Sequence, residues 1–300
     1  MKFPNHLNTM AFAVAGFAIA TYSGMDVVMK GLSLEIGAYN AMLWRSIISV
    51  LLAGLLFLWS RPTWPAGAAI RLHVWRGLIV SIMAFLFFWG LKYLPVAEAI
   101  GLSFIAPLIA LYLAKVLLHE KIGQKSVAAS LIGLLGAVVI VTGRLSGEYN
   151  EEIGKGIAAI LMSAVLYAYN LILLRQQALI AGPFEIAFFQ NCTVIFLFGC
   201  LAPFLAVVPT LTLLPNLAGA ALLGVISLLM MSWAYARAPA NELIPVEYTA
   251  FIWAALFGWL VFGEQVTLTT VMGTALIVVG CLVSAWQRPD NVDHVEATAV

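Results

Sequence analysis

Apolar runs follow one another down this chain with only a few residues between them. A helix needs about 20 mostly apolar residues to cross the hydrocarbon core of a bilayer. Ten stretches meet that length, near residues 10–30, 36–59, 74–93, 96–117, 126–143, 154–174, 184–207, 215–236, 240–262 and 268–286. Apolar residues make up 63% of the chain and Asp, Glu, Lys and Arg only 10%, where a soluble chain is about a quarter charged. Mean hydropathy is +1.02. So few charges cannot cover a surface facing water, so lipid is the expected solvent. The same composition excludes disordered, collagen-like, coiled-coil and disulfide-framework chains. A net charge of +1 offers no basic field for nucleic acid. Cys192, Cys200 and Cys281 lie inside apolar runs without CxxC spacing and read as small packing residues.

Proline sets the turns. Leu94-Pro95 and Arg237-Ala238-Pro239 separate neighbouring runs, and proline suits the first turn of a helix while disfavouring helix just before it. Residues 74–117 are therefore expected as a helical hairpin. Residues 288–300 read as a polar disordered tail. Residues 1–26 resemble a signal peptide in charge and hydrophobicity, but the repeat described next makes the first run the counterpart of a mid-chain helix. It is expected to be retained.

The second half of the chain copies the first. At a shift of 144, Trp89 falls on Trp233, Pro95 on Pro239, Glu98 on Glu242, Glu120 on Glu264 and Gly136 on Gly280. At a shift of 145, Tyr22 falls on Tyr167, Lys30 on Arg175, Gly37 on Gly182 and Gly54 on Gly199. Two Glu, one Pro and one Trp coincide far less often by chance than apolar residues do. Each half then holds five helices, residues 1–147 and 148–287. Five is odd, so the second half enters the membrane from the opposite face. The expected fold is all-α, with ten membrane helices as two inverted five-helix repeats around a central cavity. Such repeats are the machinery of alternating access. With the N-terminus inside, Lys2, Arg61, Arg71, Arg76, Lys115, Lys121, Lys125, Arg175, Arg237 and Arg288 lie at cytoplasmic ends. Lys30, Lys92, Arg144 and Lys155 lie at outer ends. Both termini are therefore expected in the cytoplasm.

The segment from Leu94-Pro-Val-Ala-Glu-Ala-Ile through Pro107 to His119-Glu120-Lys121, then Gly133 and Gly136, resembles the repeat unit of the drug/metabolite transporter superfamily, EamA-like branch. Its second copy runs from Ala238-Pro-Ala-Asn-Glu through Tyr248, Trp253, Gly258-Trp259 and Gly263-Glu264 to Gly273 and Gly280. Within the superfamily the chain is most similar to bacterial aromatic amino-acid exporters of the YddG type. The resemblance implies efflux of small metabolites or drugs, among them aromatic and neutral amino acids, across a bacterial inner membrane. One departure is Phe251 where the first copy has Pro107. The kinks of the two halves can therefore differ, with Pro245 a substitute.

Ionisable groups inside spans are costly and call for a partner, a wet cavity or a function. Arg45 lies nine residues into the second run, near mid-depth. It either pairs with Asp26 to lock the first two spans or faces the cavity and meets a substrate carboxylate. Glu247, two turns into the ninth run, aligns with Ser103 and is thus not demanded by the repeat. It either packs through hydrogen bonds or serves a substrate ammonium or a proton. Glu98 and Glu242 follow Pro95 and Pro239 in first helical turns and read more as caps or gate groups than as ligands. Glu120 and Glu264 look structural. Tyr22, Trp89, Tyr169, Trp233, Tyr235, Tyr248 and Trp253 share spans with Asp26, Asn170, Gln190, Asn191 and Glu247. The expected substrate pocket takes Tyr22, Arg45, Trp89, Ser103, Tyr169, Gln190, Asn191, Trp233, Tyr248 and Trp253, with Asp26, Glu98, Glu242 and Glu247 as polar or coupling groups. Aromatic faces with few polar handles suit flat apolar amines or aromatic amino acids. Gly133, Gly136, Gly143, Gly273 and Gly280 mark the fifth and tenth runs as close-packing helices outside the cavity. Pro107 and Pro245 are the expected hinges of the fourth and ninth.

Enzyme chemistry has little support. His119-Glu120 lacks the second His of HExxH, no GxSxG occurs, and all four histidines (His6, His73, His119, His294) lie at or beyond run ends. No filter segment or charged ring suggests a channel. No nucleotide-binding loop occurs, so transport is expected to be passive or ion-driven. A nucleotide-sugar or sugar-phosphate carrier of the same superfamily is the alternative, but it wants several deep cations, and only Arg45 reads as deep. The expected partners are a small-molecule substrate and the lipid bilayer, without cofactor or metal; a monomer is the default assembly.

Overall fold

The computed structural model describes residues 6–60, 64–65, 67–106, 109, 113, 124–145, 151–238, 243 and 246–285. The expected hinges Pro107 and Pro245, as well as Glu242, Glu120 and the tail at 288–300, lie outside them. Among the described residues the regular structure is helical, with no strand. Lipid imposes this, since a helix satisfies its backbone hydrogen bonds within one segment.

The first helix, α1 (His6–Trp59), has 54 residues, about 80 Å at 1.5 Å per residue and more than twice a bilayer core. It is broken at Gly37 (φ 80, ψ 152), a conformation open to glycine. The two arms fold back on each other, for Arg45 Nη1 meets Met25 Sδ at 3.0 Å. Unbroken helix would hold residues twenty apart at about 30 Å. The break thus falls at Gly37, later than the gap before residue 36 suggested. In the second half the matching junction is Gly182, the N-cap before Pro183.

The chain continues through α2 (Gly67–Gly90), α3 (Val96–Ser103), α4 (Gln124–Leu145), α5 (Glu151–Ile180), α6 (Pro183–Leu205), a 3-10 turn (Leu211–Leu213), α7 (Leu214–Arg237), α8 (Thr249–Phe262) and α9 (Leu268–Ala285). Prolines open α6 and α7. The left-handed Gly263 (φ 66) ends α8. Among the described residues, five helices are long and apolar enough to cross a membrane: Met10–Trp59, Gly67–Gly90, Glu151–Ile180, Pro183–Leu205 and Leu211–Arg237. Three shorter apolar helices accompany them, Leu131–Gly143, Thr249–Phe262 and Leu268–Gly280. Leu51, Leu55 and Leu58, one helical face of α1, are all more than 60% exposed. That face suits lipid and not water.

Two antiparallel pairings form the centre. The first arm of α1 lies along α7, with Thr21 and Ser227 hydroxyls 2.6 Å apart and Gly24 beside Leu223. Helix α2 lies along α5, with Gly90 beside Ile160, Ser163 Oγ donating to Met83 O at 2.8 Å, and Arg76 on Asn170. The sequence repeat maps the first arm of α1 onto α5 and α2 onto α7, so each pairing is the counterpart of the other. Helices α4 and α9 form a separate pair. They cross where a Cβ on Gly136 would stand 2.5 Å from Gly273 O. That is the close approach expected of small residues.

The two ends of the bundle are tied differently. At one end Lys30 pairs with Glu264 and donates to Leu94 O, and Glu264 Oε2 accepts the Val96 N–H at 2.8 Å. At the other, His73 Nε2 meets Glu185 Oε1 at 2.8 Å, and Arg175 donates to the carbonyls of Tyr235 and Ala238.

Candidate functional site: a central cavity between the halves

A cavity of about 240 Å³ lies inside the bundle. Its walls come from both arms of α1, from α2, α3, α5, α6 and α7, and from residues 247 and 250. Among the described residues, neither α4 nor α9 contributes a lining side chain. Seven pairs of residues equivalent in the sequence repeat face this one space: Ile19 and Ala164, Tyr22 and Tyr167, Met25 and Asn170, Asp26 and Leu171, Arg45 and Gln190, Phe87 and Met231, Ser103 and Glu247. The shape is thus shared between the halves, but the charge is not. Asp26, Arg45 and Glu247 each face a neutral counterpart.

Regular helix fails at two equivalent positions beside the cavity. Helix α3 ends at Ser103 with a turn at Phe104, and α8 starts after a turn at Tyr248. The Phe104 and Tyr248 rings meet edge to face at 5.1 Å. Ser103 and Glu247, the residues just before these turns, point into the cavity. Broken helices beside a central site free the chain to carry polar groups at that depth.

Glu247 is buried, and its two oxygens accept the Tyr235 hydroxyl at 2.8 Å and the Tyr167 hydroxyl at 3.2 Å. Arg45 does not close the expected ion pair with Asp26. Its guanidinium contacts Met25 Sδ and lies 5.9 Å from the centre of the Phe88 ring, while its buried Nε has no partner. Met25 and Phe88 take that side of Arg45, and Asp26 lines the cavity wall without a closed ion pair among the described residues. Gln190, the counterpart of Arg45, likewise has a buried Oε1 without a partner. A buried donor and a buried acceptor left unmatched in one cavity cost free energy until a ligand meets them.

Arg76 is 3% exposed and lines the same cavity. Asn170 Oδ1 takes its Nε at 2.9 Å and Gln177 Oε1 its Nη1 at 2.8 Å. Gln177 is held by His73 Nδ1 at 2.9 Å, and His73 stacks on Phe189 at 5.0 Å.

Of the expected pocket residues, Tyr22, Arg45, Ser103 and Gln190 line the cavity, as do Asp26 and Glu247. The others stand elsewhere. Trp89 packs edge to face on Tyr93, Trp233 lies under Arg237, and Trp253 stacks on Phe257. Tyr169 accepts the Trp75 indole N–H at 3.1 Å, and Asn191 turns back to Ala187 O. Tyr248 packs behind the wall on Phe104, and Glu98 lies buried with Oε1 3.5 Å from the Thr270 hydroxyl. Tyr235 and Asn170, grouped in sequence with the aromatic and polar candidates though not assigned to the pocket, line it too, and Arg76 and Tyr167 are lining residues that the sequence does not single out as such. Tyr167 was findable as the counterpart of Tyr22. A third run starting at 74 puts Arg76 at a helix end. The helix begins at Gly67, just after Pro65, which sets Arg76 about 14 Å inside it.

The sequence profile of the EamA-like transporter family matches residues 9–142 and again 154–286. The pseudopaline exporter CntI of Pseudomonas aeruginosa (strain UCBPP-PA14) is 26% identical, over 90% of this chain and 93% of its own. The S-adenosylmethionine uptake transporter of Rickettsia bellii (strain RML369-C) is 23% identical, over 91% and 92%. A protein of known crystal structure, 19% identical, superimposes with a TM-score of 0.65 over 92% of this chain and 98% of its own, a likeness of fold alone. The two named relatives carry different cargoes, and neither is named as an aromatic amino-acid exporter. The chain is a multi-pass membrane protein and belongs to the EamA-like transporter family.

Proposed function

We propose that this transporter exports small aromatic and neutral amino acids, with related apolar amines as further cargo, by alternating access through the central cavity. The architecture inferred for it is ten membrane helices in two inverted repeats, residues 1–147 and 148–287, in a bacterial inner membrane with both termini cytoplasmic. Three observations support inversion. The family profile matches twice. Seven equivalent pairs meet in one cavity. Lys30 and Arg175 are counterparts, and they bind the counterpart carbonyls of Leu94 and Ala238 at opposite ends of the bundle.

The observation that carries the substrate class is Arg45. Its cationic group faces a cavity walled by Phe87, Phe88, Phe104 and methionines, with Asp26 in the same wall but no ion pair closed to it among the described residues. An α-carboxylate meets that charge. Gln190 Oε1 and Asp26 are placed to accept from an ammonium, and the rings take the side chain. Counterflow by purified protein in liposomes, with phenylalanine, tryptophan, methionine and threonine offered in parallel, tests this. Saturable exchange of the aromatic pair is expected. Absence of exchange for all four refutes the amino-acid reading.

Arg76 favours a second reading. With two deep guanidiniums, the cavity offers more positive charge than the sequence suggested, as a nucleotide-sugar or sugar-phosphate carrier would need. Competition by a sugar phosphate in the same assay, unmatched by any amino acid, decides for it.

A further inference from the structure

We infer that Arg76 is a second anion-binding station, on the opposite side of the membrane midplane from Arg45, and that the substrate carboxylate is held by one guanidinium in each access state. The inference rests on the amino-acid transport proposed above.

The placement follows from the repeat. Arg45 touches Met25 and Arg76 touches Asn170. Met25 and Asn170 are counterparts, and inverted halves put counterparts at equal depth on opposite sides of the midplane. Arg76 lies toward the end where His73 meets Glu185. Arg45 lies eight residues past Gly37, toward the end where Lys30 meets Glu264. Between them stands Tyr22, within electrostatic reach of both arginines and of Asp26 and Glu247.

The chemistry of Arg76 is that of a prepared anion site. Its two hydrogen bonds go to neutral side-chain amides, so they orient the fork without neutralising it. Gln177 is itself fixed by His73, which is braced by Glu185 and Phe189. A structural arginine in a low-dielectric interior normally has a carboxylate beside it. Arg76 has none among the described residues within ion-pairing distance. It faces open cavity instead.

The test uses half-saturation constants for L-phenylalanine from each face, in right-side-out and inverted vesicles, with phenethylamine, which lacks the carboxylate, as comparison. Arg76→Gln is expected to raise the cytoplasmic-face constant about tenfold or more and to change the external one less than about twofold. Arg45→Gln should do the reverse, and neither should weaken transport of phenethylamine, whose ammonium makes no use of a guanidinium. If Arg76→Gln does not fold, judged by a monodisperse elution profile, Arg76→Lys replaces it. That variant keeps the charge, loses the fork and should give a smaller shift on the same face. An unchanged cytoplasmic constant, an equal rise on both faces or an equal loss of phenethylamine transport overturns the inference. Wild-type protein inert to phenylalanine refutes the amino-acid reading and takes this one with it.

Discussion

Alanine at Gly136 is the sharpest test of the packing. Its Cβ would lie 2.5 Å from Gly273 O, 2.7 Å from Ile277 Cγ1 and 2.9 Å from Ile277 N. Two of those atoms are backbone and cannot swing aside. Ordinary contact begins near 3.4 Å, so α4 and α9 must part by roughly 0.9 Å along that line, thinning the dispersion contacts of the whole crossing. Overpacking of this kind costs about 1–3 kcal/mol. Alanine also gains up to about 1 kcal/mol over glycine as a helix former, which would hide part of the loss. Gly199→Ala removes that ambiguity, because Gly199 is helical and a Cβ there meets nothing within 4 Å. Unfolding of both variants in one detergent should separate them by about 1–3 kcal/mol, the overpacking cost alone. Transport per folded molecule should stay at the wild-type level in both, since neither α4 nor α9 lines the cavity among the described residues and Gly199 of α6 is not one of its lining residues. If the two variants unfold alike, the helices do not cross at these glycines.

Two further outcomes follow from buried charges. Glu264→Gln strands the Lys30 ammonium, whose side chain is only 8% exposed, and should destabilise the protein by about 3–5 kcal/mol. Adding Lys30→Met should recover most of that loss, and equal melting of the single and double variants would show the ion pair to be inert. Glu247→Gln still accepts one tyrosine hydroxyl on its oxygen and can donate its NH2 to the other, but it cannot release a proton. If Glu247 couples transport to protons, wild-type flux falls when the pH gradient is collapsed and the variant is indifferent to it. A variant that still follows the gradient excludes Glu247 as the coupling group.

Lipid as the solvent, helix as the regular structure of the described residues and two copies of one unit were legible from composition, apolar runs and coincident residues such as Glu120 and Glu264. So was the role of α4 and α9 as close-packing helices outside the cavity, because glycine in a membrane helix has few other uses; that they pack on each other only the structure shows. The pocket was only half legible. Arg45, Asp26 and Glu247 stood out, since a charge inside a span must be explained. Which aromatics face the cavity could not be read. Trp89, Trp233 and Trp253 point elsewhere, while Tyr167 and Tyr235 point in. In water an amphipathic stripe separates inside from outside. In lipid both sides of a helix are apolar, so a ring's direction leaves no mark on the sequence. Only the antiparallel pairings of α1 with α7 and of α2 with α5 decide it, as they decide that Arg76 faces the cavity.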